Sequence, residues 1–405
     1  MPPFKKKPKS RTLLLATESY YPNVDGGAIF ERNLAWAMAR RGWKVHILAP
    51  ATDFQNKKDT DGPTTIHRLR AVKIPFLQGE RTGTIFPNPT VDKIVLELKP
   101  DIIHIHNPFG IGRAALAAAK KYQIPTLATN HLLPENLLGF IARLSFMEKS
   151  KALQKFDWFF IVDFHNHCDF VTSPTRTAVD LLIQNGLTAK SQPVSNGINL
   201  KKFRPASPKA ANYLRKRWRM GPGPVVLYTG RISGEKNLDV LVKAFAIVAG
   251  EIPDAQLMLG GACREEDNLK KLAQKLGLGD KTFISGFLNN PKDFPHLYHL
   301  GAVFVIPSTA ELQSIVKMEA MASGLPVIGV KKYALPELIH HGKNGFLFRP
   351  GDFKTLARQI IQILRDKKLR KTMGRESLKM IKVHAFEKTV ADYEKIYSFL
   401  INNKI

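Results

Sequence analysis

The sequence predicts an α/β protein built from two Rossmann-like, doubly wound parallel-sheet domains that face a central cleft. Three observations predict it. A strand-then-helix pattern repeats through both halves of the chain. The length, 405 residues, exceeds one ordinary core, and two domains of about 200 residues each are expected. Hydrophobic residues make up 44%, enough to fill both cores.

The elements follow in order. Thr12–Ala16 reads as the first buried strand, because its apolar run is too brief for a secretory segment and Glu18 closes it. A glycine-bearing loop leads into a helix with Phe30, Leu34 and Met38 at four-residue spacing, ended by Gly42. Strands are expected at Val45–Leu48, Ile102–Ile105, Thr126–Ala128 and Val171–Thr172, and the polar stretch Ala51–Asp61 reads as a loop. A junction rich in Pro, Lys and Arg spans Phe203–Pro224. Beyond it come strand Val225–Tyr228, helix Leu238–Val248, strands Gln256–Leu259, Phe283–Ser285 and Val303–Ile306, a helix ending near Gly324, and strand Val327–Gly329. Lysine-rich amphipathic helices follow from Phe353. The domains are accordingly 1–205 and 206–385, with 386–405 a helix expected to cross back to the first domain.

Composition narrows the function classes. Two cysteines, Cys168 and Cys263, make no disulfide framework, so a reducing cytoplasm is expected. No apolar run reaches the roughly 18 residues of a membrane span. The formal net charge of +27 is spread through both halves and is densest between Lys201 and Arg219, where no acid occurs. Such a field favours anionic partners: phosphates, nucleic acid or an anionic lipid surface. No Gly-x-Gly-x-x-Gly follows a strand and no Gly-Lys-Ser/Thr phosphate loop is present, which argues against a dehydrogenase or a loop-type ATPase.

Ligands of such sheets bind beyond the carboxyl ends of the strands. After the first strand, Gly26 and Gly27 open a helix, either as a backbone site for an anion or as a tight turn. After the second domain's first strand, Arg231 and Lys236 flank a helix-opening loop, an arrangement suited to gripping a diphosphate without metal. Glu311 should sit in the loop after strand Val303–Ile306, where it can accept hydrogen bonds from sugar hydroxyls. Glu319 lies on a helix of buried neighbours, Ile315, Val316, Met318, Ala320 and Met321. A carboxylate left unpaired there is costly, which points to a bound polar ligand such as a ribose diol. His131 follows strand Thr126–Ala128, placed to donate to a sugar hydroxyl or to hold a structural bond.

Other patterns read as inert. Asp59 and Asp61 lie in a polar loop and are expected to be solvated. The sets His104/His106 and His165/His167/Cys168 lack further zinc ligands. His104 and His106 alternate along a strand and so share one face.

Taken together, several motifs resemble glycosyltransferase family 4, the retaining enzymes of GT-B architecture, over nearly the whole chain. They are Pro22-x-x-x-Gly26-Gly27, the Pro100–His106 segment, Ser195-Asn196-Gly197-Ile198 and Gly230-Arg231 with Lys236. Glu311-x7-Glu319 running into Ala320–Val327, Pro336-Glu337-Leu338 and Gly342-Lys343-Asn344-Gly345 complete the set. The resemblance implies transfer of a hexose from a UDP- or GDP-sugar with retention at the anomeric carbon, without metal or other cofactor. It implies Arg231, Lys236 and the Gly26/Gly27 backbone on the donor diphosphate, Glu319 on the ribose, Glu311 on the transferred sugar and His131 near the reacting face. The leaving diphosphate would accept the acceptor's proton.

One position departs from the pattern: where the family usually has glycine, this chain has Ser314, whose side chain would reshape the sugar pocket and leaves the donor sugar open. The segments around His131 and Ala310–Ile315 resemble members that glycosylate diacylglycerol or phosphatidylinositol. Aromatic and basic residues interleave between Leu137 and Phe160, with Phe140, Phe146, Lys149, Lys151 and Lys155 suited to an anionic membrane, or else to an ordinary packed helix pair. The implied location is the cytoplasmic side, peripheral on the inner face of the cell membrane. Three other readings are a family 4 transferase with a soluble acceptor, a sugar-nucleotide epimerase of this architecture and a basic nucleic-acid-binding protein. The last is disfavoured because Glu311 and Glu319 would repel a polyanion.

Overall fold

The structure is a computed structural model that describes residues 10–23, 26–73, 82–84, 87–135, 151–204, 207–261, 266–286 and 293–403. The chain divides into one unit of Met1–Val194 with Val390–Ile405 and a second of Ser195–Thr389.

The first unit contains β1 (Thr12–Ala16), α1 (Gly26–Arg40), β2 (Lys44–Pro50), β3 (Lys57–Asp61), β4 (Thr64–Leu69), β5 (Ala71–Lys73) and β6 (Thr82–Thr84). It continues with α2 (Pro87–Leu98), β7 (Ile102–Ile105), α3 (Gly110–Lys121), β8 (Thr126–Thr129), α4 (Lys151–Asn166), β9 (Phe170–Ser173), α5 (Arg176–Gln184) and β10 (Ser191–Pro193). Among the described residues its main sheet has eight strands in the order β10-β9-β8-β7-β1-β2-β4-β3, and β5 pairs separately with β6. β3 alone runs antiparallel, along β4. The β1 side chains Leu13, Leu14 and Ala16 are fully buried, as a strand covered on both faces requires. Leu34 and Met38, one helical turn apart, turn the same face of α1 inward.

The second unit contains α6 (Pro208–Arg217), β11 (Val225–Thr229), α7 (Leu238–Glu251), β12 (Gln256–Gly260), α8 (Glu266–Lys275), β13 (Thr282–Ile284), α9 (Asp293–Leu297) and β14 (Gly301–Ile306). After these come α10 (Ile315–Ala322), β15 (Val327–Val330), α11 (Leu335–Leu338), β16 (Gly345–Phe348), α12 (Phe353–Arg365) and α13 (Lys367–Ile381). A last helix, α14 (Phe386–Asn402), begins here and contributes Val390 onward to the first unit. The described strands form one parallel sheet, β13-β12-β11-β14-β15-β16. Numbered within the unit this is 3-2-1-4-5-6, so the direction of winding reverses between β11 and β14. α12 and α13 each start on an aspartate, Asp352 and Asp366, whose carboxylate accepts an amide of the first turn.

Three sequence expectations need correction. Ala51–Asp61 is not all loop: Lys57–Asp61 forms β3. Asp61 is not solvated. It is 6% exposed and accepts from Arg32 at 2.7 and 2.8 Å, from the Trp36 indole at 3.0 Å and from the Tyr20 hydroxyl at 3.2 Å. A charged edge strand carries no hydrophobic period, so only its partner β4 reveals it. The domain boundary also lies upstream of residue 205. Ile198 donates to the His384 carbonyl and accepts from the Phe386 amide, which binds the Ser195–Ile198 segment into the second unit. Within the Pro-, Lys- and Arg-rich junction, α6 buries Leu214 completely.

Candidate functional site

In the second unit, the two loops at the switch point carry the candidate residues. After β11 the chain runs through Gly230 and Arg231 to a 3-10 turn, Gly234–Lys236, before α7 begins. After β14 it runs through Glu311 to Ser314, which caps α10. The loops are joined directly: Lys236 Nζ donates to Glu311 Oε1 at 2.8 Å, and the Asn237 amide to Thr309 Oγ1 at 3.2 Å. Tight backbone approach contributes as well, since a Cβ on Gly261 would come within 1.9 Å of the Gly230 carbonyl oxygen.

Arg231 lies on the outer side of this arrangement, its guanidinium 2.8 Å from Glu235 Oε1, while the Tyr228 hydroxyl donates to the Arg231 carbonyl at 2.8 Å. Burial alone would raise the Glu235 carboxyl. The charges of Arg231 and Lys236 and a hydrogen bond from Ser233 outweigh it and hold the group below its ordinary range. Each of the two cations proposed for a diphosphate thus rests on a carboxylate: Arg231 on Glu235, Lys236 on Glu311.

Glu319, on α10, is 8% exposed. The expectation that it lacks a protein partner is corrected, because the Tyr298 hydroxyl donates to Glu319 Oε2 at 2.5 Å and sits 2.7 Å from Thr229 Oγ1. Burial dominates nonetheless and pushes this carboxyl up to about 7, against the Tyr298 hydrogen bond and the charge of Lys202. Tyr298 escaped the sequence reading because the contact spans from the β13–β14 connection to α10.

Ser314 occupies left-handed backbone at φ 67°, and its hydroxyl accepts from the Lys317 amide. A non-glycine residue held there costs about 1–3 kcal/mol, so this loop maintains a conformation natural to glycine with a side chain in place. Next to it, Gln313 accepts from the Asn196 amide and donates to Ser195 Oγ, both at 2.9 Å. Lys317, which the sequence reading passed over, is fully buried on α10.

In the first unit, Gly26 and Gly27 are the first two residues of α1, whose opening amides have no carbonyl one turn back. Arg32, in the second turn of α1, fastens the helix to Asp61 of β3 at 2.7 Å, and its guanidinium also lies 4.2 Å from the centre of the Tyr21 ring. His131 follows β8 in a loop clamped by Asn130, whose side chain accepts from the Leu132 amide and donates to the Leu132 carbonyl, both at 3.1 Å. The His131 ring stacks on His106 at 5.7 Å and meets Phe30 of α1 edge-on at 5.3 Å.

His104 and His106 do share one face, with ring centres 4.0 Å apart. Both are buried, and burial together with neighbouring imidazoles holds them well below the ordinary histidine range. His104 lies 2.7 Å from the Tyr397 hydroxyl and 2.7 Å from Thr129 Oγ1, so α14 supports the strand that leads to His131. His165 bonds the Ile161 carbonyl within its own helix, and Cys168 is a buried thiol pushed up to about 12 by burial. Among the described residues no group of three or more His, Cys, Asp or Glu side chains is placed to hold a metal ion.

The residues expected from the sequence to meet a membrane divide differently. Phe140, Phe146 and Lys149 lie outside the described residues, and Lys151 begins α4 with its side chain likewise outside them. Lys155 is exposed on α4. Phe156 and Phe159 on the same helix are 62% and 66% exposed. No described helix is long and apolar enough to cross a membrane.

Comparison with known proteins identifies this arrangement. Residues 24–202 match the family model described as Glycosyltransferase Family 4, and residues 214–380 match Glycosyl transferases group 1. The alpha-monoglucosyldiacylglycerol synthase of Acholeplasma laidlawii is 26% identical over 96% of this chain and 97% of its own. A GDP-mannose-dependent alpha-mannosyltransferase of Corynebacterium glutamicum is 29% identical over 84% of this chain and 77% of its own. Among solved structures, Anabaena HepE in complex with UDP and glucose superimposes with a TM-score of 0.76 at 20% identity, covering 96% of this chain and 100% of that one. The chain belongs to glycosyltransferase family 4 and has the GT-B fold.

Proposed function

We propose that this glycosyltransferase moves a hexose from a UDP- or GDP-sugar to a membrane lipid such as diacylglycerol or phosphatidylinositol, with retention at the anomeric carbon. The observation that carries the donor side is the meeting of Lys236 and Glu311 at 2.8 Å across the two switch-point loops. One loop supplies cations where a diphosphate would lie, and the other supplies a carboxylate where a sugar would hydrogen-bond.

The residues divide the work as follows. Arg231 and Lys236 draw the charge of the donor diphosphate and stabilise it further as it leaves, which replaces a metal ion in that role. The Gly26 and Gly27 amides offer the same phosphates donors from the start of α1. Glu319 accepts from the ribose hydroxyls, and Glu311 from hydroxyls of the transferred hexose, orienting its anomeric carbon. Ser314 shapes the pocket beside Glu311. The bond from the anomeric carbon to the diphosphate oxygen breaks and a bond to the acceptor oxygen forms on the same face. The acceptor's proton passes to the departing diphosphate. His131 contacts the sugar near that face.

Three observations support a lipid acceptor at a membrane surface. The chain carries a net charge of +27, which attracts anionic headgroups. α4 exposes Phe156 and Phe159, one turn apart, beside exposed Lys155. One relative, similar over 96% of this chain and 97% of its own, is named alpha-monoglucosyldiacylglycerol synthase. The location that fits is peripheral, on the inner face of the cell membrane.

The test combines radiolabelled UDP- and GDP-sugars with anionic or neutral vesicles, at low and high salt, with and without a chelator. Label in the lipid extract, dependent on anionic vesicles and indifferent to the chelator, supports the reading. Label confined to water-soluble product, with no vesicle binding, assigns the chain a soluble acceptor instead.

A further inference from the structure

Ser314 turns the chain into α10 in left-handed backbone, at φ 67°. A residue with a side chain stays there only where its surroundings over-determine it. The front of the same loop is tied to the β11 loop through Thr309 and Glu311. Its end is tied elsewhere, by the side chain of Gln313, which is 2% exposed.

The direction of each of these bonds follows from what the partners can do. The Asn196 amide can only donate, so the Gln313 oxygen faces it at 2.9 Å and the Gln313 amine faces Ser195 Oγ at 2.9 Å. The Gly197 amide donates to the same hydroxyl at 3.1 Å. Ser195 Oγ thus accepts twice, and its one proton goes to His384 Nδ1, 2.9 Å away. His384 must then carry its own proton on Nε2. Burial first, and then the charges of Lys317 and Lys388, hold this ring below its ordinary range against the charge of Glu337, in keeping with a neutral acceptor.

The far end of the chain of bonds is firmly built. His384 lies in the 3-10 turn Lys382–His384, just before α14. Ile198 donates to the His384 carbonyl at 2.8 Å and accepts from the Phe386 amide at 3.0 Å. A Cβ on Gly197 would lie 2.5 Å from Thr389 Oγ1 and 2.8 Å from the Phe386 Cα. The Ser195–Ile198 segment therefore packs on the start of α14 with no space for a side chain at Gly197.

We propose that Gln313, anchored by Ser195 and His384, is a positioning residue that holds the Glu311–Ser314 loop in the form that receives the donor sugar. This rests on the reading that Glu311 meets the transferred hexose. Gln313 supplies from its anchor what glycine at position 314 would supply from the backbone itself, a left-handed turn kept in place. Without that anchor Ser314 relaxes toward ordinary backbone and carries Glu311 out of alignment with the sugar, which lowers turnover more than binding. The diphosphate and ribose are assigned to residues outside this loop, Arg231 and Glu319, so nucleotide affinity does not depend on Gln313.

The test compares the wild type, Gln313→Ala, Ser314→Gly and the double variant, with UDP- and GDP-sugars as donors. Gln313→Ala should bind UDP or GDP within about twofold of the wild type, with kcat at least about tenfold lower and donor KM within about threefold. In Ser314→Gly the left-handed turn carries no strain, and there the same substitution should lower kcat by no more than about threefold. Ser195→Ala breaks the link to His384 while leaving the Asn196 bond, and it should show the same dependence on Ser314 in smaller measure. It replaces Gln313→Ala should that variant fail to fold. Wild-type kcat in Gln313→Ala overturns the proposal, and so do equal losses with serine and with glycine at position 314.

A second measurement is independent of turnover. Histidine 15N labelling, with His384 assigned through His384→Gln, reads the tautomer of that ring at pH 8. The expected form has the proton on Nε2 and none on Nδ1; a proton on Nδ1 overturns the proposal. If Glu311→Ala transfers as well as the wild type, or the wild type transfers from no nucleotide sugar, the functional reading fails instead. The tautomer then still decides whether the anchor of Gln313 is built as assigned.

Discussion

The Tyr298 hydroxyl donates to Glu319 at 2.5 Å, joining the segment before β14 to the middle of α10. The contact gives the buried Glu319 carboxyl a hydrogen-bond donor from the protein itself. Removing it by Tyr298→Phe leaves Glu319 without that donor and should destabilise the second unit by about 1–3 kcal/mol, read from denaturant melts at pH 8.

Glu319 also sets a pH dependence. Its folded carboxyl is raised from 4.5 to about 7, so between these values the native state holds a proton that the unfolded state has lost. Its contribution to stability is complete below pH 4.5 and is lost as pH rises through about 7. Glu319→Gln should flatten this part of the stability profile and weaken nucleotide binding, as melts from pH 4 to 8 and UDP or GDP titrations would show. A sloping profile in Glu319→Gln would assign the dependence to another group.

Lys317 has the opposite sign. Burial lowers its amine from 10.5 to about 7, and between these values the unfolded state binds the extra proton. Stability from this group therefore rises with pH across that interval, and its cost is greatest below it. Lys317→Met should raise stability near pH 6 by about 1–4 kcal/mol, with the gain shrinking toward pH 10.

Lys236 and Glu311 should behave as one unit. Lys236→Ala and Glu311→Ala are each expected to lower kcat by about 10²–10³-fold, the range for losing one charge-stabilising group. The double variant should fall short of the product of the two, with a coupling of about 0.5–3 kcal/mol. Strict additivity in the kcat cycle would separate their roles.

Asp61 holds the middle of α1 through Arg32 and Trp36, and it also accepts from the Tyr20 hydroxyl ahead of that helix. Asp61→Ala should cost about 2–4 kcal/mol, below the full value for a buried ion pair because Arg32 remains 35% exposed. The Asp61 carboxyl is held below its ordinary range because the Arg32 and Trp36 hydrogen bonds and the Arg32 charge outweigh its burial. Its contribution is present at neutral pH and disappears on acidification below about pH 4. Acid melts of the wild type against Asp61→Asn measure it.

On α4, Phe156→Ser with Phe159→Ser should reduce binding to anionic vesicles at least about tenfold, since each buried aromatic is worth about 1.5–3 kcal/mol. Transfer to a detergent-solubilised lipid should change little. Unaltered vesicle co-sedimentation would remove α4 from the membrane surface.

Much of the fold was legible in the residues themselves. Buried strands such as Leu13–Ala16 and Val225–Tyr228 are continuous apolar runs, and the helices between them repeat every turn, so local pattern and tertiary environment agree. The ordered motifs around Arg231, Lys236, Glu311 and Glu319 marked the strand-end loops, because ligand sites of these sheets lie there by construction of the fold. The tertiary structure decided which charges meet. Asp61 looked solvated and is buried under Arg32; Glu319 looked unpaired and has Tyr298; Lys236 and Glu311, assigned to different parts of a ligand, hold each other; Lys317, which no motif marked, is enclosed. These partners are up to 75 residues apart in sequence. Hydrophobic periodicity records which face of an element is buried, but the partner of a polar group is set by the long-range packing of several elements, and no local pattern encodes it.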